Sequence, residues 1–188
     1  MSQNKKELIR KAAIKVISRD GFYNTKTSKI AEEADVAVGT IYNYFASKNE
    51  ILEYIFEVEF EKRINYLKEM ENKDYHIDKK LSLFVNQHFK EVRENLNTAQ
   101  ILVREKEFPK DSEFSSILNY LDELPSLLER MLDKAVQKGE IECENTAVTA
   151  SFIFGGLQGI VEKALRTNNL KVLDDAEQIV STLLQNGL

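Results

Sequence analysis

The side chains with the clearest chemistry lie between Thr25 and Phe45, where hydroxyl, amide and phenol groups alternate with aliphatic ones. Such groups donate hydrogen bonds to phosphate oxygens and to the edges of DNA bases. Ile30 and Ala34 are spaced for the buried side of one short helix, and Ile41 faces inward from a second. Two short helices that cross over a tight turn form a helix-turn-helix, whose second helix fits the major groove of DNA. The segment therefore predicts a DNA-binding regulator.

We expect the phosphate contacts from residues at both ends of this motif. The hydroxyl of Thr25 or Thr27 can donate to a phosphate while it caps the first helix. Tyr42 and Tyr44 are long enough to reach the sugar-phosphate backbone; the alternative is that both simply pack the small domain. Lys48, at the start of the next helix, is placed to bind a phosphate together with the free amides of that helix. Such contacts would fix the orientation of the motif on the duplex.

The base contacts are expected from the second helix of the motif. Gly39 allows the helix to approach DNA closely, Thr40 offers a hydroxyl and a methyl group, and Asn43 can pair with adenine. Ala37 and Val38 can only contact thymine methyl groups or exclude other bases. The predicted DNA-binding residues are Thr25, Lys26, Thr27, Ala37, Val38, Gly39, Thr40, Tyr42, Asn43, Tyr44 and Lys48.

Residues 39–45, which read Gly-Thr-Ile-Tyr-Asn-Tyr-Phe, are followed by Lys48 and by Ile51-Leu52. This string resembles the DNA-binding domain of the TetR family of bacterial one-component regulators, over about residues 5–52. The resemblance implies an all-helical homodimer with an N-terminal DNA-binding domain and a C-terminal effector pocket. Family members often open the recognition helix with Ser-Lys, whereas this chain has Ala37 and Val38 there. The usual capping hydroxyl and a common phosphate-binding cation are therefore replaced by apolar groups.

Composition favours a helical globular protein. The chain has 188 residues, of which 43% are hydrophobic and 30% charged, with only two prolines and seven glycines. The net charge is −5, but residues 1–50 carry +3 and the remainder carries −8. A cationic N-terminal region suits contact with phosphate, and an anionic remainder does not. Ordinary surface charge is the alternative explanation of the same totals.

The pattern of apolar residues predicts an all-α fold with no strands. A first helix from about Asn4 to Arg19 ends at Gly21, and a capping box at Ser47 and Glu50 begins a long helix that joins the two domains. Later helices are predicted at about residues 77–96 and in a shorter segment that runs through Val103. Three more are predicted from a cap at Asp111 or Ser112 to Gly139, from Asn145 to Arg166, and from Leu173 to Leu184. Pro125 is expected to kink its helix. We predict a DNA-binding domain at residues 1–47, with its motif at 25–44, and an effector-binding and dimerisation domain at 48–188.

The effector site is expected in the apolar, phenylalanine-rich segments 84–103 and 114–132, which favour an elongated hydrophobic ligand. The predicted pocket residues are Phe84, His88, Phe89, Leu102, Leu121 and Phe154. His88 is either a core residue with a satisfied hydrogen bond or a ligand contact. The helix order and the segment 153–155 also resemble the branch of the family that responds to long-chain acyl-CoA, so a small hydrophobic effector of that kind is the hypothesis.

The dimer interface is expected where glycines interrupt a helix that is apolar nearly all round. Each glycine costs a helix about 1 kcal/mol relative to alanine, which makes sense if a second helix passes close by. The predicted interface residues are Phe152, Gly155, Gly156, Gly159, Ile179 and Leu183. The alternative is that the glycines line the effector pocket.

Other classes of function have little support in the sequence. His76, His88 and Cys143 are too dispersed for a metal site, and no catalytic set or cofactor motif is recognisable. Residues 1–10 lack the apolar run of a signal peptide, and polar residues interrupt the most apolar helix, so we expect a cytoplasmic protein without a membrane span. The leading hypothesis is a homodimeric repressor of a palindromic operator on double-stranded DNA. The alternative is a helical lipid-binding or small-molecule-binding module, or an enzyme, that does not act on DNA.

Overall fold

The computed structural model describes the backbone of residues 2–105 and 115–186 and the side chains of 5–105, 118–180 and 182. These residues form α1 (Ser2–Asp20), α2 (Thr27–Glu33), α3 (Val38–Tyr42), α4 (Lys48–Glu71), α5 (Ile77–Glu94), α6 (Leu96–Arg104), α7 (Ser115–Gln137), α8 (Thr146–Arg166) and α9 (Lys171–Asn186). No strand occurs among them. The predicted all-α fold is confirmed.

Most helix ends lie within two residues of their predicted positions. Gly21, with a φ of 80°, follows the last residue of α1 in the left-handed region that a glycine adopts most readily. α3 ends at Tyr42, which is two residues earlier than expected. α7 continues through Pro125, so this proline does not end the helix. The expected caps at Asp111 and Ser112 lie outside the described residues.

The chain divides into two compact units. The first unit comprises Met1–Phe60 and Leu96–Leu118, and the second comprises Glu61–Asn95 and Asn119–Leu188. α4 therefore contributes residues to both units. The predicted boundary at residue 47 separates the DNA-binding domain from the effector-binding and dimerisation domain, and it stays a prediction.

The first unit is built on α1, which packs against α2 and α6. Its apolar core includes Ile9, Ile17, Ile30, Ile41, Phe45, Ile55, Phe56 and Ile101. Arg10 is buried in this unit and donates to the carboxylate of Glu59 at 2.9 Å and to that of Glu7 at 2.7 Å. Hydrogen bonding to Glu7 is the main reason why the pKa of Arg10 is raised. The buried guanidinium is therefore fully charged and paired.

α6 binds the end of α1 through two adjacent charged residues. The guanidinium of Arg104 donates to the carbonyl oxygen of Ile17 at 2.5 Å, and the buried carboxylate of Glu105 accepts from the backbone amide of Phe22 at 3.3 Å. Backbone carbonyls at the end of a helix lack partners within it. The carbonyl of Ile17 also accepts from the backbone amide of Gly21 at 2.9 Å, so Arg104 adds a second donor there and a first contact to the carbonyl of Ser18 at 3.3 Å.

The second unit is a helical bundle in which α5 packs against α9 and α8, and α8 packs against α9. Its buried apolar residues include Leu67, Leu81, Phe84, Phe89, Leu127, Leu128, Leu132, Leu157 and Leu173. Asn145 caps α8 as predicted, because its side chain accepts from the amide of Val148 at 3.0 Å. Within the described residues, no helix is both long enough and apolar enough to cross a membrane.

Candidate functional site

The turn between α2 and α3 is closed by the backbone alone. The amide of Val36 donates to Ala31 at 3.0 Å, and the amide of Asp35 donates to Glu32 at 3.1 Å. These two bonds form a Schellman motif, in which the residue after the helix is left-handed, and Asp35 has a φ of 51°. Asp35 therefore ends α2, and the turn sets the direction in which α3 leaves it.

α3 has one buried side and one open side. Ile41 and Phe45 are each 1% exposed and anchor the helix in the core of the first unit. Ala37, Val38, Gly39, Tyr42 and Asn43 are exposed, and Thr40 and Tyr44 are half-buried. The predicted base-contacting residues of α3 thus share the face that does not pack on the protein. Tyr42 is 54% exposed, so its ring is available to a partner instead of packing the small domain.

Gly39 stands on this open face. A Cβ atom placed on it would meet nothing within 4 Å, so nothing in the described residues requires a glycine there. Ala37 occupies the N-cap position of α3 and provides no side-chain hydrogen bond, as its methyl group implies. The start of α3 therefore presents small, uncharged surface with free backbone amides.

Thr25 does not have the position that the sequence suggested. It is buried, and its hydroxyl donates to the carbonyl of Gly21 at 2.7 Å. Lys26, and neither threonine, is the N-cap residue of α2, and it makes no side-chain cap. The predicted cap is therefore wrong, and Thr25 braces the turn after α1 through its internal hydrogen bond. Lys26 is exposed and Thr27 half-buried at the start of α2.

Lys48 is also used inside the protein. Its ammonium donates to the carbonyl oxygens of Phe22 at 2.7 Å and Thr25 at 2.9 Å, with Tyr23 at 3.4 Å, and it lies 4.3 Å from the centre of the Phe22 ring. Burial lowers the pKa of Lys48. An ammonium has three donors, and these carbonyls occupy them. A phosphate contact through Lys48 would have to break one of these bonds, and the contact stays a prediction.

The capping box that begins α4 is present in a shifted form. Ser47 Oγ accepts from the amide of Glu50 at 3.1 Å, as expected. The carboxylate of Glu50 accepts from the amide of Ala46, one residue before the predicted partner. The start of α4 therefore has partners for its first donors within the chain.

Several cations of the first unit are paired with its own acids. Lys29 and Arg19 both bind Asp20, at 3.1 Å and 2.9 Å, and Lys15 binds Glu33 at 3.1 Å. The hydrogen bond from Arg19, followed by that from Lys29, lowers the pKa of Asp20 to about 2. The excess positive charge of residues 1–50 is thus partly neutralised locally.

In the second unit, aromatic rings surround His88. The His88 ring stacks on Phe84 with centroids 6.2 Å apart and lies 5.7 Å from Phe89. Phe154, on α8, meets the ring of Tyr120 edge-on at 5.8 Å. Leu121 is half-buried, whereas Tyr120 beside it is 5% exposed. Leu102 belongs to the first unit, so the predicted pocket residues do not all lie in one compact unit.

Three charged or polar residues of this region were not predicted. Arg63 is 5% exposed, and its guanidinium lies 3.6 Å from the carboxylate of Glu91. Burial raises the pKa of Tyr120 to about 12, and burial followed by the charge of Arg63 lowers the pKa of His88 to about 3. Tyr120 has the helical spacing of Leu124, Leu127 and Met131, which could have identified it. Nothing in the sequence distinguishes Arg63 from its exposed charged neighbours.

The glycines of α8 lie on an open face. Gly155, Gly156 and Gly159 are exposed, and a Cβ atom on any of them would meet nothing within 4 Å. Phe152 is 73% exposed beside them, and Ile179 on α9 is 59% exposed. The side chain of Leu183 lies outside the described residues. A large ring in contact with water marks a surface that a partner can cover.

A separate surface pocket of about 290 Å³ lies in the second unit at the ends of α4 and α7. Its lining includes Lys73, Lys80, Lys134 and Lys138, with Glu71, Asp74 and Glu140. Lys134 binds Glu71 at 2.7 Å, and this hydrogen bond is the main reason why the pKa of Glu71 is lowered. The acids balance most of the lysine charge, so the pocket is not strongly cationic. None of the predicted effector residues lines it.

Comparison with known proteins gives a consistent result. Residues 9–55 match the model of bacterial regulatory proteins of the tetR family, and residues 75–162 match that of a tetracyclin repressor-like C-terminal domain. The fatty acid metabolism regulator protein of Bacillus subtilis (strain 168) is 29% identical over 182 residues, which cover 94% of this chain and 92% of that protein. This relative is a regulator and not an enzyme.

Two solved structures are similar over nearly their whole length. The fatty acid degradation regulator FadR from Bacillus halodurans has a TM-score of 0.88 and 29% identity, and the match covers 98% of this chain and 96% of that one. FadR from Bacillus subtilis, in complex with stearoyl-CoA, has a TM-score of 0.87 and 27% identity, with 97% and 98% covered.

Proposed function

Because the chain belongs to the tetR family of bacterial regulatory proteins, we propose that it is a homodimeric repressor that releases a palindromic operator when a long-chain acyl-CoA binds. The observation that carries the proposal is the open face of α3, where polar and small side chains project from a helix held by Ile41 and Phe45. A regulator of this kind acts on chromosomal DNA, so the proposal includes a cytoplasmic location.

The DNA contacts are assigned by exposure and chemistry. Thr40 and Asn43 would read base edges, Tyr42 and Tyr44 would donate to the sugar-phosphate backbone, and Gly39 would let α3 approach closely. Ala37 and Val38 would contact thymine methyl groups, and Lys26 and Thr27 would meet phosphate at the start of α2. We leave out Thr25 and Lys48, because both are engaged within the protein.

The dimer would form on the open face of α8 and on α9. Two copies related by a two-fold axis would each cover the other's Phe152 and Ile179, and the glycines would allow the helices to come close. This arrangement favours the interface role of Gly155, Gly156 and Gly159 over the pocket role. A two-fold dimer reads two half-sites about 34–36 Å apart, or a multiple of that spacing, which explains why a palindromic operator is expected.

The effector assignment rests on two observations. One structurally similar regulator was solved with stearoyl-CoA bound, and the second unit of this chain holds a cluster of buried aromatic rings around His88. Acyl-CoA releases DNA only if it binds more tightly to a geometry that does not fit the operator. The two binding free energies are then coupled, so operator DNA also weakens acyl-CoA binding.

Gel shift on the DNA upstream of the gene tests the proposal. We expect a specific complex whose affinity falls steeply with salt, because phosphate contacts release counterions. Stearoyl-CoA should dissociate the complex, and CoA alone should not. Binding of stearoyl-CoA without any DNA complex would instead support the alternative of a lipid-binding module. A DNA complex that stearoyl-CoA leaves intact would overturn the effector assignment.

A further inference from the structure

Two polar atoms in the interior of the second unit have no hydrogen-bond partner within the described part of the chain. They are Nδ1 of His88 and Oε2 of Glu91, both on α5. His88 as a residue keeps some exposed surface, but its Nδ1 atom is buried. His88 was interpreted either as a core residue with a satisfied hydrogen bond or as a ligand contact, and the first interpretation does not describe its Nδ1 atom. Buried polar atoms are nearly always bonded, so a pair of exceptions on one helix requires an explanation.

The surroundings of these atoms are polar on one side and aromatic on the other. Arg63 Nη2 lies 3.6 Å from Glu91 Oε2, too far for a hydrogen bond. Gln87 donates to the other carboxylate oxygen of Glu91 at 2.9 Å. The rings of Phe84 and Phe89 lie beside His88. The Nδ1 atom thus belongs to a ring flanked by two phenylalanines, and the Oε2 atom belongs to a loosely made ion pair three residues further along the same helix.

The charges of this cluster sum to zero. The positive guanidinium of Arg63 is opposed by the carboxylate of Glu91, and His88 is neutral because its pKa is depressed to about 3. A carboxylate that entered would gain Arg63 but would be repelled by Glu91. An uncharged group that carries an N–H or O–H donor meets no such penalty, and it can satisfy the free oxygen of Glu91.

We propose that Arg63, His88 and Glu91 form a buried subsite that receives an uncharged hydrogen-bonding group of the effector, and that this group is the amide-bearing arm of an acyl thioester. The thioester or amide carbonyl accepts from Arg63, and an amide N–H donates to Glu91 Oε2. A free fatty acid has a charged carboxylate and no such donor, so the subsite selects the thioester against the acid. This inference rests on the proposed acyl-CoA effector and adds the residues that recognise it.

The decisive variant is Glu91→Gln, because it should move two ligands in opposite directions. The amide that replaces the carboxylate keeps one acceptor oxygen, which the donor Gln87 engages, and turns its own N–H donors towards the amide N–H of the ligand, so stearoyl-CoA should bind about tenfold more weakly. The same change removes the charge that repels a carboxylate, so stearate should bind about tenfold more tightly. Glu94→Gln is the matched control: it makes the same change on the same helix, at an exposed residue whose carboxylate lies 3.9 Å from Lys90. Isothermal titration calorimetry on the full-length protein measures both ligands.

His88→Phe provides a second measurement that does not depend on Glu91. The change keeps an aromatic ring between Phe84 and Phe89 but removes the buried Nδ1 atom. The ligand-free variant should melt at a higher temperature, whereas its affinity for stearoyl-CoA should fall several-fold. A purely structural histidine would not combine these two effects, because a better-packed core would leave the affinity unchanged.

The outcomes separate this inference from the proposed function. If stearoyl-CoA does not bind the unaltered protein, the effector assignment fails and the subsite fails with it. If stearoyl-CoA binds but Glu91→Gln behaves like Glu94→Gln towards both ligands, the subsite alone is overturned. Opposite shifts for stearoyl-CoA and stearate support the subsite. The N-acetylcysteamine thioester of stearate, which retains one amide, should follow stearoyl-CoA.

Discussion

The polar groups beside the DNA-binding face and those beside the proposed effector site differ in how they are bound. In the first unit, Arg10 is bound by two carboxylates, Thr25 by a carbonyl, and Lys48 by three carbonyls of one turn. In the second unit, His88 and Glu91 each keep a buried atom without a hydrogen bond in the described residues. The open face of α8 also leaves Phe152 in water.

This difference separates the DNA-binding face from the proposed effector and dimer surfaces. The groups that hold α3 in place are satisfied by the first unit itself, so its DNA-binding face is organised before DNA arrives. Such preorganisation lowers the cost of binding. The second unit has an uncovered apolar face and unpaired polar atoms, which suit a second copy and an effector.

The largest effect is expected from Phe152→Glu, which places a carboxylate on the open face of α8. Two such charges would be buried without partners across a two-fold interface, and the dimer should weaken by about a thousandfold or more, roughly 4 kcal/mol. Sedimentation equilibrium measures the change. Tyr75→Glu, at a residue that is 44% exposed outside this face, is the control. A dimer that survives Phe152→Glu unchanged would show that α8 does not form the interface.

Arg10→Met tests whether the first unit depends on its internal pairing. The change removes the buried guanidinium that donates to the buried carboxylate of Glu59, and the free energy of unfolding should fall by about 3–5 kcal/mol. Urea denaturation at fixed protein concentration measures the loss. Arg19→Met, which removes an exposed pair with Asp20 on the same helix, should cost much less, because solvent screens that pair. If both variants lost the same free energy of unfolding, the buried pair would contribute no more to the first unit than the exposed pair does.

Acid should destabilise the second unit through His88. Its pKa is about 3 in the folded chain and ordinarily 6.5, so the unfolded chain takes up a proton first as the pH falls. Stability is therefore complete above about pH 6.5 and is lost progressively towards pH 3. From pH 7 to 5 this contribution amounts to about 2 kcal/mol. Between pH 7 and 5, the free energy of unfolding of His88→Phe should fall about 2 kcal/mol less than that of the unaltered protein, as urea denaturation measures it. An identical pH dependence of the two proteins would argue against a buried neutral imidazole.

The smallest effect is expected at the DNA-binding face, from Tyr42→Phe. Loss of one hydroxyl that donates to the sugar-phosphate backbone should weaken operator binding about fivefold, or roughly 1 kcal/mol, without changing stability. Fluorescence anisotropy with a labelled operator measures the affinity, and Tyr75→Phe serves as the control. If the affinity is unchanged, Tyr42 does not make the proposed phosphate contact.

The sequence predicted the local features well. Gly21 and Asn145 end or begin helices where expected, because a left-handed turn or a capping side chain depends on its immediate neighbours. The open and buried sides of α3 followed from the spacing of Ile41 and Phe45 in the same way. These features need only a few consecutive residues to be defined.

The sequence was less informative where a side chain had a choice of distant partners. Lys48 binds carbonyls 23 to 26 residues away, and the sequence cannot show that these point towards it. Arg63 looked like one of many helix charges, yet it is buried beside Glu91 on another helix. Leu121 was chosen as a pocket residue instead of Tyr120 for another reason. Both residues belong to apolar stripes with helical spacing, and the two stripes run side by side along the same segment. Tertiary packing decided the cases of Lys48 and Arg63.

The membership of α6 in the first unit has a consequence during synthesis on the ribosome. Its Ile101 is fully buried, and Arg104 and Glu105 bind the end of α1 and the residue after Gly21, although more than thirty residues of the second unit separate α6 from Phe60. A nascent chain that has emerged only as far as Phe60 therefore lacks part of its own core. Removal of everything after Phe60, for example to graft the DNA-binding region onto another protein, would leave the surface of α1 that α6 covers uncovered.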